Sequence, residues 1–333
     1  DIDSAYRDMR KTVDGTEAQF ESLKQGAIEF SKTHVTSAQQ LLEIEAIGGE
    51  LGVAADDLEK FAETVSNIEV ATNYETEDAA SMLGQLANVT HMTADEYEGF
   101  SDALVRLGNN GASTETQIGD IATRIGSMAT IVGMSQSDML AWSSTLASTG
   151  QQSEAAGTAF SKTMSLMETA VASAGGTMDT SFESIDAAVA EGGDKLTIFA
   201  SLADKTADEF AEAWSSDSAS AFSELQSGID GAKDKLQKIA DVAHMSADDF
   251  AQAWENDPTE ALRAFIMGLN DIEDSGGSAD AVLQSLGITG ARQKQAIEGL
   301  MQTIGLLDDN LTMSEDAWNG VSDQWGAAGD AAR

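Results

Sequence analysis

Apolar residues recur along this chain every three or four positions. Phe20, Leu23, Ala27 and Phe30 step by three, four and three, and Tyr97, Phe100, Leu104 and Leu107 do the same. Ile118, Ile121, Ala122, Ile125 and Met128 form a third series, and Phe160, Met164, Met167 and Val171 a fourth. A helix turns once in about 3.6 residues, so each series falls on one stripe that can be buried. No segment alternates apolar and polar residues with the period of two that a half-buried strand needs.

The polar residues between the stripes are ordered too. Thr93-Ala94-Asp95-Glu96, Thr206-Ala207-Asp208-Glu209 and Ser246-Ala247-Asp248-Asp249 each place a hydroxyl at a helix N-cap. The acids then fall on the first turn. The hydroxyl accepts a bond from a free backbone N–H, and the carboxylates meet the positive end of the helix dipole. Thr76-Glu77-Asp78 and Ser314-Glu315-Asp316 read the same way, and Asp56-Asp57 is a weaker version without the hydroxyl. Met92, Met245 and Met313 precede their caps, where an apolar residue staples the chain to the new helix. Predicted stops are rich in glycine: Gly48-Gly49, Gly108 through Gly111, Gly175-Gly176, Gly192-Gly193 and Gly276-Gly277. The expectation is an all-α fold of about fifteen short to medium helices of one to five turns, in an irregular multi-helix array with no significant sheet.

One stretch repeats. TADEFAEAW (Thr206–Trp214) returns forty residues later as SADDFAQAW (Ser246–Trp254). The same offset aligns Ala200 with Ala240, Asp217 with Asp257, Ala221 with Ala261 and Gly228 with Gly268. The recurring residues are caps, stripe positions and glycines, so the chain repeats a way of packing helices. Two parts are expected: 1–176, with the longer helices, and 177–333, which contains the repeat copies at 200–229 and 240–269. The tail Gly326–Arg333 has no large apolar anchor and is expected to fray or open a linker.

Composition changes this picture in two ways. The net charge is −39, with 18 basic against 57 acidic residues, so no clustered Lys and Arg are available for a phosphate backbone. Nucleic acid is therefore not an expected partner, and a solvated acidic surface is the plain reading. There is no cysteine, which removes disulfides and thiolate chemistry. No apolar run is long enough to span a bilayer. The start at Asp1, without methionine, reads as a processed product or a fragment.

Candidate chemistry is thin. His34, His91 and His244 are the only histidines, and none has an i, i+4 partner of metal-ligand spacing. Asp271–Gly276 begins like a calcium loop, but its twelfth position is Val282 instead of a bidentate glutamate. Gly157–Thr163 ends in Ser-Lys-Thr without the glycine and strand of a phosphate loop. Trp142, Trp214, Trp254, Trp318 and Trp325 read as core or interface residues before they read as stacking platforms. No catalytic, cofactor-binding or metal-ligating residue is predicted, no cofactor is expected, and the chain is expected not to be an enzyme.

Several segments together resemble the core region of phage tail tape measure proteins. KTVDGTEAQFESLKQGAIEFSKT (Lys11–Thr33) is followed by Ser37 and Gly49-Glu50-Leu51-Gly52. KFAETVSNIEVATNYETEDAASMLGQLANVTHM (Lys60–Met92), LGNNGASTETQI (Leu107–Ile118), GMSQSDMLAWSSTLASTG (Gly133–Gly150) and GTAFSKTM (Gly157–Met164) come next. MSADDFAQAWENDPTEALRAFIMGL (Met245–Leu269) and LQSLGITGARQKQAIEGL (Leu283–Leu300) close the series. Thr180–Asp230 departs from the family order and looks like an inserted or duplicated unit. The resemblance implies a structural component of a phage or prophage tail. It would act in tail assembly, length determination and DNA entry, and would be made in the host cytoplasm and built into the virion tail. Implied partners are other tape measure copies and tail proteins, with homo-oligomers in the tail. Coiled-coil and membrane-active segments of such proteins would lie outside this chain. The alternative is a helical binding or adhesin-like module of a larger bacterial surface protein. A peptidoglycan hydrolase, a domain that some tape measures carry, is the third reading.

Overall fold

A computed structural model describes residues 1–174 and 181–320. Among these residues every regular element is helical, with eighteen α-helices and two 3₁₀ turns. The helices are α1 (Ile2–Thr12), α2 (Glu17–Phe30), α3 (Ala38–Glu50), α4 (Leu58–Ala71), α5 (Thr76–Thr90), α6 (Tyr97–Asn110), α7 (Glu115–Ile131), α8 (Gln136–Ala147) and α9 (Ser153–Ala174). They continue as α10 (Phe182–Glu191), α11 (Asp194–Leu202), α12 (Ala207–Ser216), α13 (Ser218–Val242), α14 (Ala247–Asn256), α15 (Pro258–Asp274), α16 (Ala279–Ser285), α17 (Ala291–Thr303) and α18 (Leu307–Trp318). The 3₁₀ turns are Ala94–Glu96 and Ile304–Leu306. The all-α expectation holds. Two helices exceed the expected five turns: α9 has 22 residues and α13 has 25. The longest helix therefore lies in the second half of the chain, against expectation. No described helix is long and apolar enough to cross a membrane.

The stripes predicted from spacing face inward. Phe20, Leu23, Ala27 and Phe30 are buried along α2, and Tyr97, Phe100, Leu104 and Leu107 along α6. Met128 alone of the third series stays half-exposed, because α7 turns that position toward solvent. Complete burial of a Leu or Phe side chain contributes about 1.5–3 kcal/mol. Most of these helices are too short to persist alone in water, so packing holds them.

The chain divides into two compact units. One is Asp1–Ala159 with Glu298–Arg333; the other is Phe160–Ile297. The 176/177 junction inferred from glycine content lies outside the described residues, and the compact units follow different limits. The reason is α18, which packs against α6 and α8. Asn310 donates from Nδ2 to Thr145 Oγ1 at 2.9 Å, and Ser314 Oγ donates to the Ser137 carbonyl at 2.8 Å. The side chains of Asn310 and Ser314 are buried, and these partners keep them from being stranded away from water. In the first unit, α1 also lies on α3, and α7 on α5 and α8.

Several predicted caps form and others do not. Thr93 and Thr206 make reciprocal capping boxes with the residue three places on, and Ser246 accepts from Asp249 N. Thr16, Ser37 and Thr114, which are not among the expected caps, form the same boxes. Thr76 is not a cap: α5 starts at that residue, with Glu75 before it and no side-chain bond. Asp57 precedes α4, also without a side-chain bond. Ser314-Glu315-Asp316 lies inside α18, where the Ser314 hydroxyl is spent on Ser137, and Met313 is therefore no staple. Gly48-Gly49 does not stop α3. A Cβ on Gly48 would stand 2.7 Å from Leu58 and 2.9 Å from Phe61, so this glycine lets α4 come close. The tail Gly326–Arg333 and Trp325 lie outside the described residues.

Candidate interaction surface

The forty-residue repeat is a backbone device built twice. In each copy a helix ends on a residue in the left-handed region, Asp204 (φ 55°) or His244 (φ 57°). The next N–H turns back five residues: Lys205 N donates to the Ala200 carbonyl and Met245 N to the Ala240 carbonyl, both at 2.9 Å. That bond satisfies a carbonyl at the helix end. The hydroxyl cap follows, with φ and ψ of −74° and 162° at Thr206 and −74° and 160° at Ser246. The short helices α12 and α14 then stop at Asp217 and Asp257, whose carboxylates cap α13 and α15 by accepting from Ser220 N and Glu260 N. His91 (φ 55°) opens the HMTADE junction in the same manner, with Met92 N donating to the Ala87 carbonyl at 3.0 Å. Asp204, His91 and His244 are the non-glycine residues at positive φ among the described residues. The two repeat-like histidines thus serve as helix terminators. His244 Nε2 does sit 3.1 Å from Asp271 Oδ2, but both side chains are well exposed, where such a pair contributes little.

Each copy carries an aromatic pair on its short helix. Phe210 and Phe250 are fully buried, Trp214 and Trp254 nearly so, and the ring centroids in each pair lie 6.1 Å and 6.3 Å apart. A buried indole N–H needs an acceptor. Trp214 Nε1 donates to Asp186 Oδ1 of α10 at 2.5 Å, and Trp254 Nε1 donates to Glu168 Oε2 of α9 at 2.8 Å. The copies differ in this cover. Beside Trp214, Phe182 is 47% exposed and its ring lies tilted against those of Trp214 and Phe222, with centroids at 5.1 Å and 4.7 Å. Leu262, the counterpart of Phe222, is fully buried. The sequence offered no sign of Asp186 or Glu168 as partners, because neither lies at a recurring offset from its tryptophan.

The remaining candidates fall into plain structural places. Asp271–Asp274 form the last turn of α15, with Gly276 at φ 85° closing the turn after it. Gly157–Thr163 lies within α9, where Gly157 rests against Arg124. Among the described residues no group of three or more His, Cys, Asp or Glu is placed to hold a metal ion. A cleft of about 540 Å³ is bordered by Trp318, Gln136, Glu96 and Glu315. A second, of about 510 Å³, is bordered by Tyr74, Asp78, Asp120 and Arg124. There burial pushes the Asp120 carboxyl upward while Arg124 pulls it down, and burial also raises the Tyr74 phenol. Sequence spacing could not assemble this second group, whose members come from α5 and α7 and the turn before α5.

Asp3, Asp8, Asp95 and Glu29 pair with lysines on exposed surface, which screens those contacts. What recurs across the chain is capped helix termini and buried aromatic faces. These features define an all-helical, repeat-bearing packing protein. Residues 24–252, well over half of the chain, match the phage-related minor tail protein family, and the chain belongs to that family. The match begins in α2, takes in the whole first copy of the repeat and ends inside α14. No curated protein matches the chain.

Proposed function

We propose that this chain is the core region of a tape measure protein, acting in tail assembly and length determination and in DNA entry. The observation that carries the reading is the ordered series of segments from Lys11 to Leu300, in a chain of the minor tail protein family. The region works by association: helix faces pack on further copies and on tail proteins in the virion tail. It does so without catalysis, and its −39 charge keeps it off the DNA that passes through the tail. An in-frame deletion of this region from the complete protein, followed by electron microscopy of the particles, tests the proposal. Tails should be missing or of irregular length, and the region should co-purify with neighbouring tail proteins when they are expressed together. Tails of normal number and length from the deletion would overturn it.

A further inference from the structure

A carboxyl group sits inside the first unit without a counter-charge. Glu45 lies on α3, 1% exposed, and its Oε2 is buried with no hydrogen-bond partner. Its place in the stripe Leu41, Glu45, Gly48 explains the burial: spacings of four and three put it on the face that α3 turns to the core. The charges acting on it are Glu59 and Glu63, both on α4 and both negative. The other helices packed on α3 bring no compensation. From α1 come the Thr12 hydroxyl, which donates to the adjacent Ala46 carbonyl, and the acidic Asp8, which borders a cleft with Glu43 and Ala46. From α2 comes Gly26, over which the Glu59 carboxylate lies. From α5 come Glu77 and Asp78, which border Glu43 and Ile47 in a separate cleft.

We propose that Glu45, faced by Glu59 and Glu63, is a proton-operated lock on the packing of α3 against α4. With the proton on, Glu45 is a neutral polar group that the core tolerates. When the proton leaves to solvent, an unpaired carboxylate is left buried on α3, with the half-buried Glu63 and the exposed Glu59 of α4 repelling it, and the packing opens. Burial pushes the Glu45 carboxyl up to about 8 from the usual 4.5, with Glu59 and Glu63 adding to the rise. Burial raises Glu63 as well. The sign follows: because the folded value lies above the unfolded one, the stability that Glu45 contributes is complete below pH 4.5. It is lost as pH rises to about 8. The lock does not depend on the tail assignment.

The test is urea unfolding of the full chain across pH 5.5–8.5, with hydrogen exchange read on α3 and α4. One proton of linkage lowers the folding equilibrium constant about tenfold per pH unit. Glu45→Gln, which keeps the shape and cannot ionise, should remove that slope and abolish the alkaline rise in exchange along α3 and α4. Glu43→Gln, on the exposed side of α3, should keep both. Should Glu45→Gln fail to fold, Glu63→Gln serves: with one like charge gone, the alkaline end of the transition should move to lower pH. A Glu45→Gln protein with the wild-type slope, or a Glu63→Gln protein with an unmoved transition, would overturn the lock.

Discussion

Three glycines in the repeat unit separate close helix packing from helix propensity. Gly228 and Gly231 share α13, and Gly268 is the counterpart of Gly228 on α15. A Cβ on Gly228 would fall on the carbonyl of Leu202, 2.6 Å from its carbon, and a Cβ on Gly268 would fall on the Val242 carbonyl at the same 2.6 Å. A carbon normally approaches a carbonyl oxygen no closer than about 3.3 Å. The obstruction is backbone at the end of a helix, next to the left-handed turn at Asp204 or His244, so no rotamer can relieve it. Nothing lies within 4 Å of the Cβ position on Gly231. In a helix interior, alanine is favoured over glycine by roughly 0.5–1 kcal/mol.

Gly231→Ala should therefore stabilise the protein by about 0.5–1 kcal/mol. Gly228→Ala and Gly268→Ala gain the same propensity but force two backbones apart, and such overpacking costs about 1–3 kcal/mol or more. Both should come out destabilised by about 1–2 kcal/mol, so the same substitution changes sign within three residues of α13. Urea titration followed by far-ultraviolet circular dichroism reads this directly, with the m-value checking that two-state behaviour is kept. If Gly228→Ala and Gly268→Ala matched Gly231→Ala in stability, the close approach of α11 to α13 and of α13 to α15 would be refuted.

Further outcomes follow from the same geometry. Phe250→Ala should cost about 3–5 kcal/mol, because the ring is fully buried; an unchanged unfolding midpoint would place it at the surface. Thr206→Ala and Ser246→Ala should each cost about 1 kcal/mol, while Thr76→Ala should cost little, since no cap bond is lost there. The chain should leave the mobility of duplex DNA unchanged at physiological salt, given 18 basic against 57 acidic residues; a salt-sensitive shift would show a basic site that the net charge conceals.

The sequence was most readable where structure is decided within a few residues. Thr206 and Ser246 could be read as caps because the N–H each one accepts from lies three positions away. The inward stripes on α2, α6 and α9 were legible for a related reason: one helix face is a property of one segment. Legibility ended where a distant segment competes for the same group. Ser314-Glu315-Asp316 has the letters of a cap, but its hydroxyl bonds a carbonyl 177 residues earlier. Gly48 looks like a terminator until Phe61 needs the space beside it. The compact units obey the same rule: glycine content marks where a chain can bend, whereas α18 belongs to the first unit because Asn310 and Ser314 find partners there. Glu45 was not singled out by any apolar series, because its burial is decided by the helices packed around α3.

The repeat shows both sides of that limit within one chain. Its two copies agree where the backbone itself sets the terms: the left-handed residue, the returning N–H, the cap and the aspartate that starts the next helix match to within a few degrees and about 0.2 Å. They diverge at the indole, because a buried N–H must find an acceptor but does not specify where it comes from. Trp214 takes one from α10 and Trp254 from α9, and the copies also differ nearby, with Phe182 about half-exposed beside Trp214 and Leu262, the counterpart of Phe222, fully buried. A helix-packing unit can therefore be copied with its backbone intact while the residues around its aromatic pair, Phe182 and Phe222 in one copy and Leu262 at the matching place in the other, differ in exposure. That property suits the association with other tail proteins proposed for this member of the minor tail protein family. It also makes the Phe182, Trp214 and Phe222 face, rather than its closed counterpart, the place where the two copies of the repeat differ in what they offer to solvent.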